Sequence, residues 1–136
     1  MIMVTGEEKG MPNALMEKNG ELVQDPIIDD QAIAMKLKGK GLVVISGCAH
    51  AGIVNTLMFA QKTTGEQKIH AVLGGFHLSG PFFEKFHDPT VDALKKIDPD
   101  VLMPMHCTGW KAIHRFQKEF PESFVLNSVG SKVMLS

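Results

Sequence analysis

The chain has 136 residues with 14 basic and 15 acidic side chains, a formal net charge of -1, 44% hydrophobic and 21% charged residues. That is enough chain for one real core, too apolar for a disordered segment, and without the basic footprint that nucleic acid or an anionic membrane surface requires. With two cysteines, no secretory apolar region after Met1 and no run long enough to span a bilayer, a reducing, cytoplasmic location is expected.

Residues 1–28 carry Gly, Pro, Asn and Glu without sustained periodicity, and are expected to be an irregular lead-in with at most a short helical turn. Residues 29–136 are the patterned part. "AIAMKL", a "KGKG" turn and "LVVIS" predict an antiparallel hairpin. After Gly52, "IVNTLMFAQKTT" places Ile53, Leu57, Met58 and Ala60 at helical spacing, with Gly65 as the stop. "KIHAVLGG" predicts a strand ending in two glycines. "DPTVDALKKI" predicts a helix with Asp88 as N-cap and Pro89 at its first position. "DVLMPMHCTG" predicts another strand, and "WKAIHRFQKEF" a helix with Trp110, Ile113, Phe116 and Phe120 on one face. "SFVLNSVGSKVML" is expected to supply one or two final strands. The alternation of strand, loop and helix predicts an α/β fold, whose sites form beyond the carboxyl ends of the strands.

His50, His77 and His106 each follow a predicted strand, in the contexts "SGCAH", "GGFH" and "MPMH". Neighbouring strands lie about 5 Å apart, so residues just past their ends can converge, and imidazoles gathered this way commonly bind metal. Gly47, Gly52, Gly74 and Gly75 permit the tight turns and close approach such a site needs. Taken singly, each histidine has a structural reading: His50 capping the following helix, His77 exposed in a loop, His106 hydrogen-bonded in the core. His70, inside a strand, His114, on a helix, and His87, before one, are assigned to structure. Cys48-x-His50 together with His106-Cys107 is one reading of the thiols, as a compact zinc site. The spacing departs from the usual CxxC knuckles, which favours small buried cysteines that support the loops. Asp29 and Asp30 open the hairpin and could add carboxylate oxygens, though such pairs are more often solvated turn residues.

The series "DDQAIAMKLKGKGLVVISGCAHAGIVN", "VLGGFHLSG", "VLMPMHCTGW" and "NSVGSKVML" resembles the carboxyl-terminal half of the metallo-β-lactamase superfamily, and more narrowly its branch of hydrolases related to dihydropterin-phosphate synthases. The resemblance runs from about Asp29 to the end. It implies half of an αββα sandwich with one or two divalent metal ions, usually zinc, with manganese or iron as alternatives. By that resemblance His50 and His106 are metal ligands, and His77 stands where relatives commonly carry a bridging aspartate. The implied chemistry is hydrolysis, of a phosphate ester or similar small molecule, by water activated at the metal.

Family members carry an HxHxDH sequence in the amino-terminal half, and no HxH occurs in these 136 residues. The resemblance therefore implies a half-domain that is inactive without that sequence and is completed by a complementary amino-terminal half or by self-association into an oligomer. The alternative is a non-catalytic metal-binding or association module with a degenerate hydrolase fold. Catalytic residues and the substrate-binding loops are not assigned by these motifs.

Overall fold

The computed structural model describes residues 14–27 and 30–135. It begins with a hairpin of two short strands, β1 (Leu15–Lys18) and β2 (Glu21–Gln24), turning through Asn19 and Gly20, both at positive φ. This is where the sequence suggested an irregular lead-in. Nearly every residue of the hairpin is exposed, so it leaves no half-buried alternation for a reader of the sequence to find. Asp29 lies outside the described residues.

The main sheet has the order β3 (Ala32–Leu37), β4 (Gly41–Ser46), β5 (Ile69–Gly75) and β6 (Val101–Met105). The β3–β4 hairpin is antiparallel, as its alternating residues and glycine turn predict. β5 and β6 add in parallel, which requires crossover connections, and helices supply them. Helix α1 (Ile53–Thr64) joins β4 to β5 between Gly52 and Gly65, both at positive φ, and buries Ile53, Val54, Leu57 and Ala60. Met58, expected among the buried positions, is exposed, and Val54 takes its place.

Helix α2 (His87–Ile97) joins β5 to β6. It starts at His87 rather than after an Asp88 cap, because the chain enters it directly from a 3₁₀ helix, Pro81–Phe86. Pro89 still falls in the first turn, where the N–H it lacks would have no intrahelical partner. Helix α3 (Trp110–Glu119) follows β6 and buries Ala112 and Phe116, with Phe120 continuing that face. Trp110 was expected on that stripe but is 78% exposed. The final strands predicted after α3 are absent among the described residues: only Phe124 bridges to Leu102, with Leu102 and Val125 amides completing that contact.

All three helices lie on one face of the sheet. Leu42, Val44, Ile69, Val72 and Leu102 form a single core with Ile53, Leu57, Val91, Leu94, Ala112 and Phe116. Strand side chains alternate, so Ile45, next to buried Val44, belongs to the opposite face, with its register partner Ile33 and with Met35. There Ile33 is 59% and Met35 47% exposed. On the same face Val43, Ala71 and Met103 are buried, so the exposed apolar strip is confined to β3 and the end of β4.

Candidate metal centre

Because β4, β5 and β6 are parallel, their carboxyl ends share one edge of the sheet, and the loops that follow them meet there. β3 runs the other way, so its amino-terminal neighbour Asp30 arrives at the same edge beside the end of β4. Four polar side chains lace this edge together. Asp30 Oδ2 accepts the His50 N–H at 2.8 Å and Oδ1 the Cys48 N–H at 3.3 Å. Ser46 Oγ donates to the Gly75 carbonyl at 2.8 Å. Thr108, fully buried, donates through Oγ1 to the Met105 carbonyl at 2.7 Å and accepts the Phe76 N–H at 3.1 Å. The fourth is His87, whose Nε2 lies 2.9 Å from the Leu78 carbonyl.

Two glycines make the close approach possible. Gly74 has φ +125°, and a Cβ there would lie 2.1 Å from the Ser46 carbonyl oxygen. At Gly75 a Cβ would sit 2.6 Å from the Gly47 oxygen and 2.7 Å from Cys107 Sγ. Ala49, His77 and His106 hold positive φ values of 54°, 49° and 53° without being glycine. Such backbone costs of order 1–3 kcal/mol per residue and concentrates where function needs a side chain aimed.

His50 and His77 are brought together, their rings edge to face with centroids 4.7 Å apart. Phe83 closes the other side of His77 at 4.9 Å. The Nδ1 atoms of both histidines are buried with no hydrogen-bond partner. Burial, and then the neighbouring His50, hold the His77 pKa below the usual imidazole value, with His106 adding to the effect and Asp30 opposing it. A neutral imidazole is the form that ligates metal.

His106 is placed differently. It is exposed, and its Nε2 lies 3.1 Å from Cys48 Sγ. Among the described residues, the side chains whose ligand atoms all fall within 4.8 Å of one another are Cys48, His106 and Cys107. Burial pushes the Cys107 thiol up to about 11. A cleft of about 880 Å³ adjoins the edge, lined in part by Ile27, Asp30, Ala51, Asn55 and Phe59. The histidines assigned to structure are accounted for: His70 pairs with Asp100 at 2.7 Å, His87 holds Leu78, and His114 is exposed on α3.

In a search of known structures the chain superposes, with a TM-score of 0.79 and 35% identity, on the crystal structure of a metal-dependent hydrolase of the β-lactamase superfamily, covering 88% of this chain and 46% of that one. The chain carries half of a metallo-β-lactamase fold. Two curated proteins of Methanocaldococcus jannaschii agree with this half-fold. A 7,8-dihydropterin-6-methyl-4-(beta-D-ribofuranosyl)-aminobenzene-5'-phosphate synthase is 40% identical over 107 residues, 79% of this chain and 36% of its own length. An uncharacterised protein is 39% identical over 113 residues, 83% of this chain and 40% of its own. The chain thus spans less than half the length of each of these relatives. No protein-family model matches it.

The metallo-β-lactamase fold implies a divalent metal in general, and the residues at this edge suit one: two adjacent imidazoles, each with a buried ring nitrogen lacking any other partner. The convergence of three histidines that strand spacing suggests is met by His50 and His77, while His106 turns to the thiols. Asp30 as anchor of the loop was missed by sequence reasoning. The hairpin register held the signal, since it puts the residues before β3 beside those after β4. Among the described residues, no helix is long and apolar enough to cross a membrane.

Proposed function

We propose that this chain is the metal-binding half of a hydrolase acting on a phosphate ester or similar small molecule, with His50, His77 and His106 as its ligands to a zinc-type ion. The observation that carries this reading is the pair of buried, unpartnered Nδ1 atoms on His50 and His77. Leaving two polar ring atoms buried without partners costs of order 1–3 kcal/mol each, a cost that coordination would remove. Bound there, the metal would supply Lewis acidity to a scissile oxygen. The chain's own residues do the positioning: Asp30 fixes the loop of His50, Thr108 the turn of His106, and Phe83 the ring plane of His77. His106 is near enough to the pair to oppose protonation of His77.

The remaining ligands and the attacking-water machinery would come from a segment bearing HxHxDH, which these residues lack. That absence also favours a second reading, a non-catalytic metal-binding or association module. The exposed apolar strip of Ile33, Met35 and Ile45 is the surface on which a complementary half, or a second copy, would sit. A reducing cytoplasm would keep both free cysteines reduced.

Calorimetric titration of the metal-free chain with zinc tests the ligand assignment. On a Cys48→Ser, Cys107→Ser background, which leaves the imidazoles as the ligands, binding should weaken at least about tenfold when His50→Ala and His77→Ala are added; equal affinity would overturn it. Hydrolysis of bis(p-nitrophenyl) phosphate separates the two readings, because turnover should appear only when a segment carrying HxHxDH is added. No turnover in that complex favours the non-catalytic module.

A further inference from the structure

We propose that Cys48 and Cys107, with His106 in the orientation this structure shows, form a thiol-rich site for a soft divalent cation such as zinc, an arrangement that excludes His106 from the His50–His77 pair while it holds. The topology makes this meeting unusual. Cys48 follows β4 and Cys107 follows β6, and β5 runs between them. Strands two apart are separated by about 10 Å, and a side chain at the end of the middle strand would ordinarily stand between the two thiols. Here that position is Gly75. A Cβ on it would lie 2.7 Å from Cys107 Sγ and 3.2 Å from Cys48 Cα. The thiols therefore reach each other across a backbone with nothing on it.

The resulting geometry is close to that of a coordination shell. The two sulfurs and the imidazole nitrogen all lie within 4.8 Å of one another, and His106 Nε2 is 3.1 Å from Cys48 Sγ. Tetrahedral zinc with Zn–S near 2.3 Å and Zn–N near 2.0 Å needs ligand atoms about 3.5–3.8 Å apart. Adjustments of an ångström or less reach that shape. The ring of His106 is held over the thiol by a backbone at φ +53°, and the turn carrying it is pinned by Thr108. Cys107 Sγ, 3.4 Å from the Cys48 carbonyl oxygen, donates to it, which ties the two cysteine loops together. Both cysteines are free and half-buried, and His106 is exposed, which leaves the fourth position open to solvent. Two thiolates and one imidazole select a soft, zinc-like ion over magnesium or calcium. Binding releases one proton from each thiol to the buffer as the two metal–sulfur bonds form.

This site does not rest on the hydrolase reading, and it competes with that reading for His106. Cobalt(II) titration of the reduced, metal-free chain tests it, because thiolate ligands give a sulfur-to-cobalt charge-transfer band in the near ultraviolet that histidines do not. The band should appear in the wild-type chain and in the His50→Ala, His77→Ala variant. It should fall by about half in Cys48→Ser and in Cys107→Ser and vanish in the double serine variant. A second measurement needs no substitution: zinc should slow iodoacetamide alkylation of both cysteines at least about tenfold, read by peptide mass. Cobalt binding without the sulfur band, or alkylation indifferent to zinc, would overturn the thiol site. The first of these, with binding lost in the His50, His77 variant, would leave the hydrolase reading intact.

Discussion

The Asp30 carboxylate accepts the backbone N–H of His50 at 2.8 Å, and through its other oxygen that of Cys48 at 3.3 Å. One side chain on the approach to an edge strand thereby fixes a loop that carries both an imidazole and a thiol. Hydrogen bonds to a charged acceptor are worth about 1.5–3 kcal/mol, more than neutral ones, and they hold the loop together with Ala49, which it buries in the core.

Asp30→Asn should therefore cost stability and metal affinity together. Asparagine keeps one acceptor oxygen but turns its amide N–H₂ toward a backbone donor. We expect a loss of about 1–3 kcal/mol in urea unfolding and about 10–100-fold weaker zinc binding, as outer-shell partners of ligands commonly show. A variant that unfolds at the wild-type urea midpoint and titrates identically would mean the loop is held by other contacts.

Gly75→Ala should be destabilising and should also separate the two thiols. The added methyl meets the Gly47 carbonyl oxygen at 2.6 Å, and that oxygen already accepts the Gly75 N–H at 3.0 Å. Moving either backbone group lengthens or breaks that hydrogen bond, which extends the β4–β5 pairing past Ser46 and Gly74. Overpacking of this kind costs about 1–3 kcal/mol. Urea denaturation gives the loss, and the sulfur-to-cobalt band should weaken in the same variant. A normal melt with an unchanged band would show that the strand ends are looser than their geometry implies.

The strands and helices that residue patterns reveal are those with a local reason to form. Gly52 and Gly65 bracket α1 at positive φ, and the β-branched residues of β4 and the KGKG turn announce the β3–β4 hairpin. The β1–β2 hairpin is invisible because Leu15, Met16 and Leu22 are exposed, so no in-and-out alternation records it. "SFVLNSVGSKVML" has strand composition, yet only Phe124 pairs, because strand formation depends on a partner edge that composition does not encode. At the site, three histidines after three strands were legible as a pattern. The grouping of Cys48 with His106 and Cys107 was open to the sequence as one reading of the thiols but ranked below supporting cysteines, since what brings them together is the missing side chain of Gly75 between two loops 58 residues apart in sequence.

The His70–Asp100 pair should make stability fall at acid pH. Asp100 Oδ2 takes His70 Nδ1 at 2.7 Å and Lys68 Nζ at 3.0 Å, and these contacts, His70 first, hold its carboxyl below the usual range. A depressed folded-state pKa contributes stability that is fully present above the unfolded value, about 3.9, and is lost as pH falls through the lower folded value. Asp100 is 40% exposed, so solvent screens the contribution and the effect should be small. Urea midpoints measured from neutral pH down to about 2 should decline across the carboxylate range, and Asp100→Asn should flatten part of that decline. An identical slope in the variant would assign the acid sensitivity to Glu66, Glu84 and Glu119, whose carboxyls are also held low by lysines.

The exposed apolar strip on β3 and the end of β4 should drive association. Ile33 and Ile45 stand opposite each other in register, with Met35 beside them, on the side the helices do not reach. Leu15 and Leu22 of the first hairpin are exposed as well. Apolar patches of this kind on a soluble chain usually mark an interface, and leaving about 400 Å² wet forgoes roughly 10 kcal/mol, comparable to the stability of a whole domain. The isolated chain should therefore sediment as a dimer or larger species at micromolar concentration, and a segment carrying the HxHxDH half should displace that self-association. An Ile33→Lys, Met35→Lys variant adds to the edge strand the lysines that natural proteins use to prevent edge pairing, and it should shift the chain to monomer. Its melt should change little, within about 0.5 kcal/mol, because both side chains are already exposed in the single chain. A wild-type chain that sediments as a cooperatively melting monomer would mean that the face is stable in water and needs no cover.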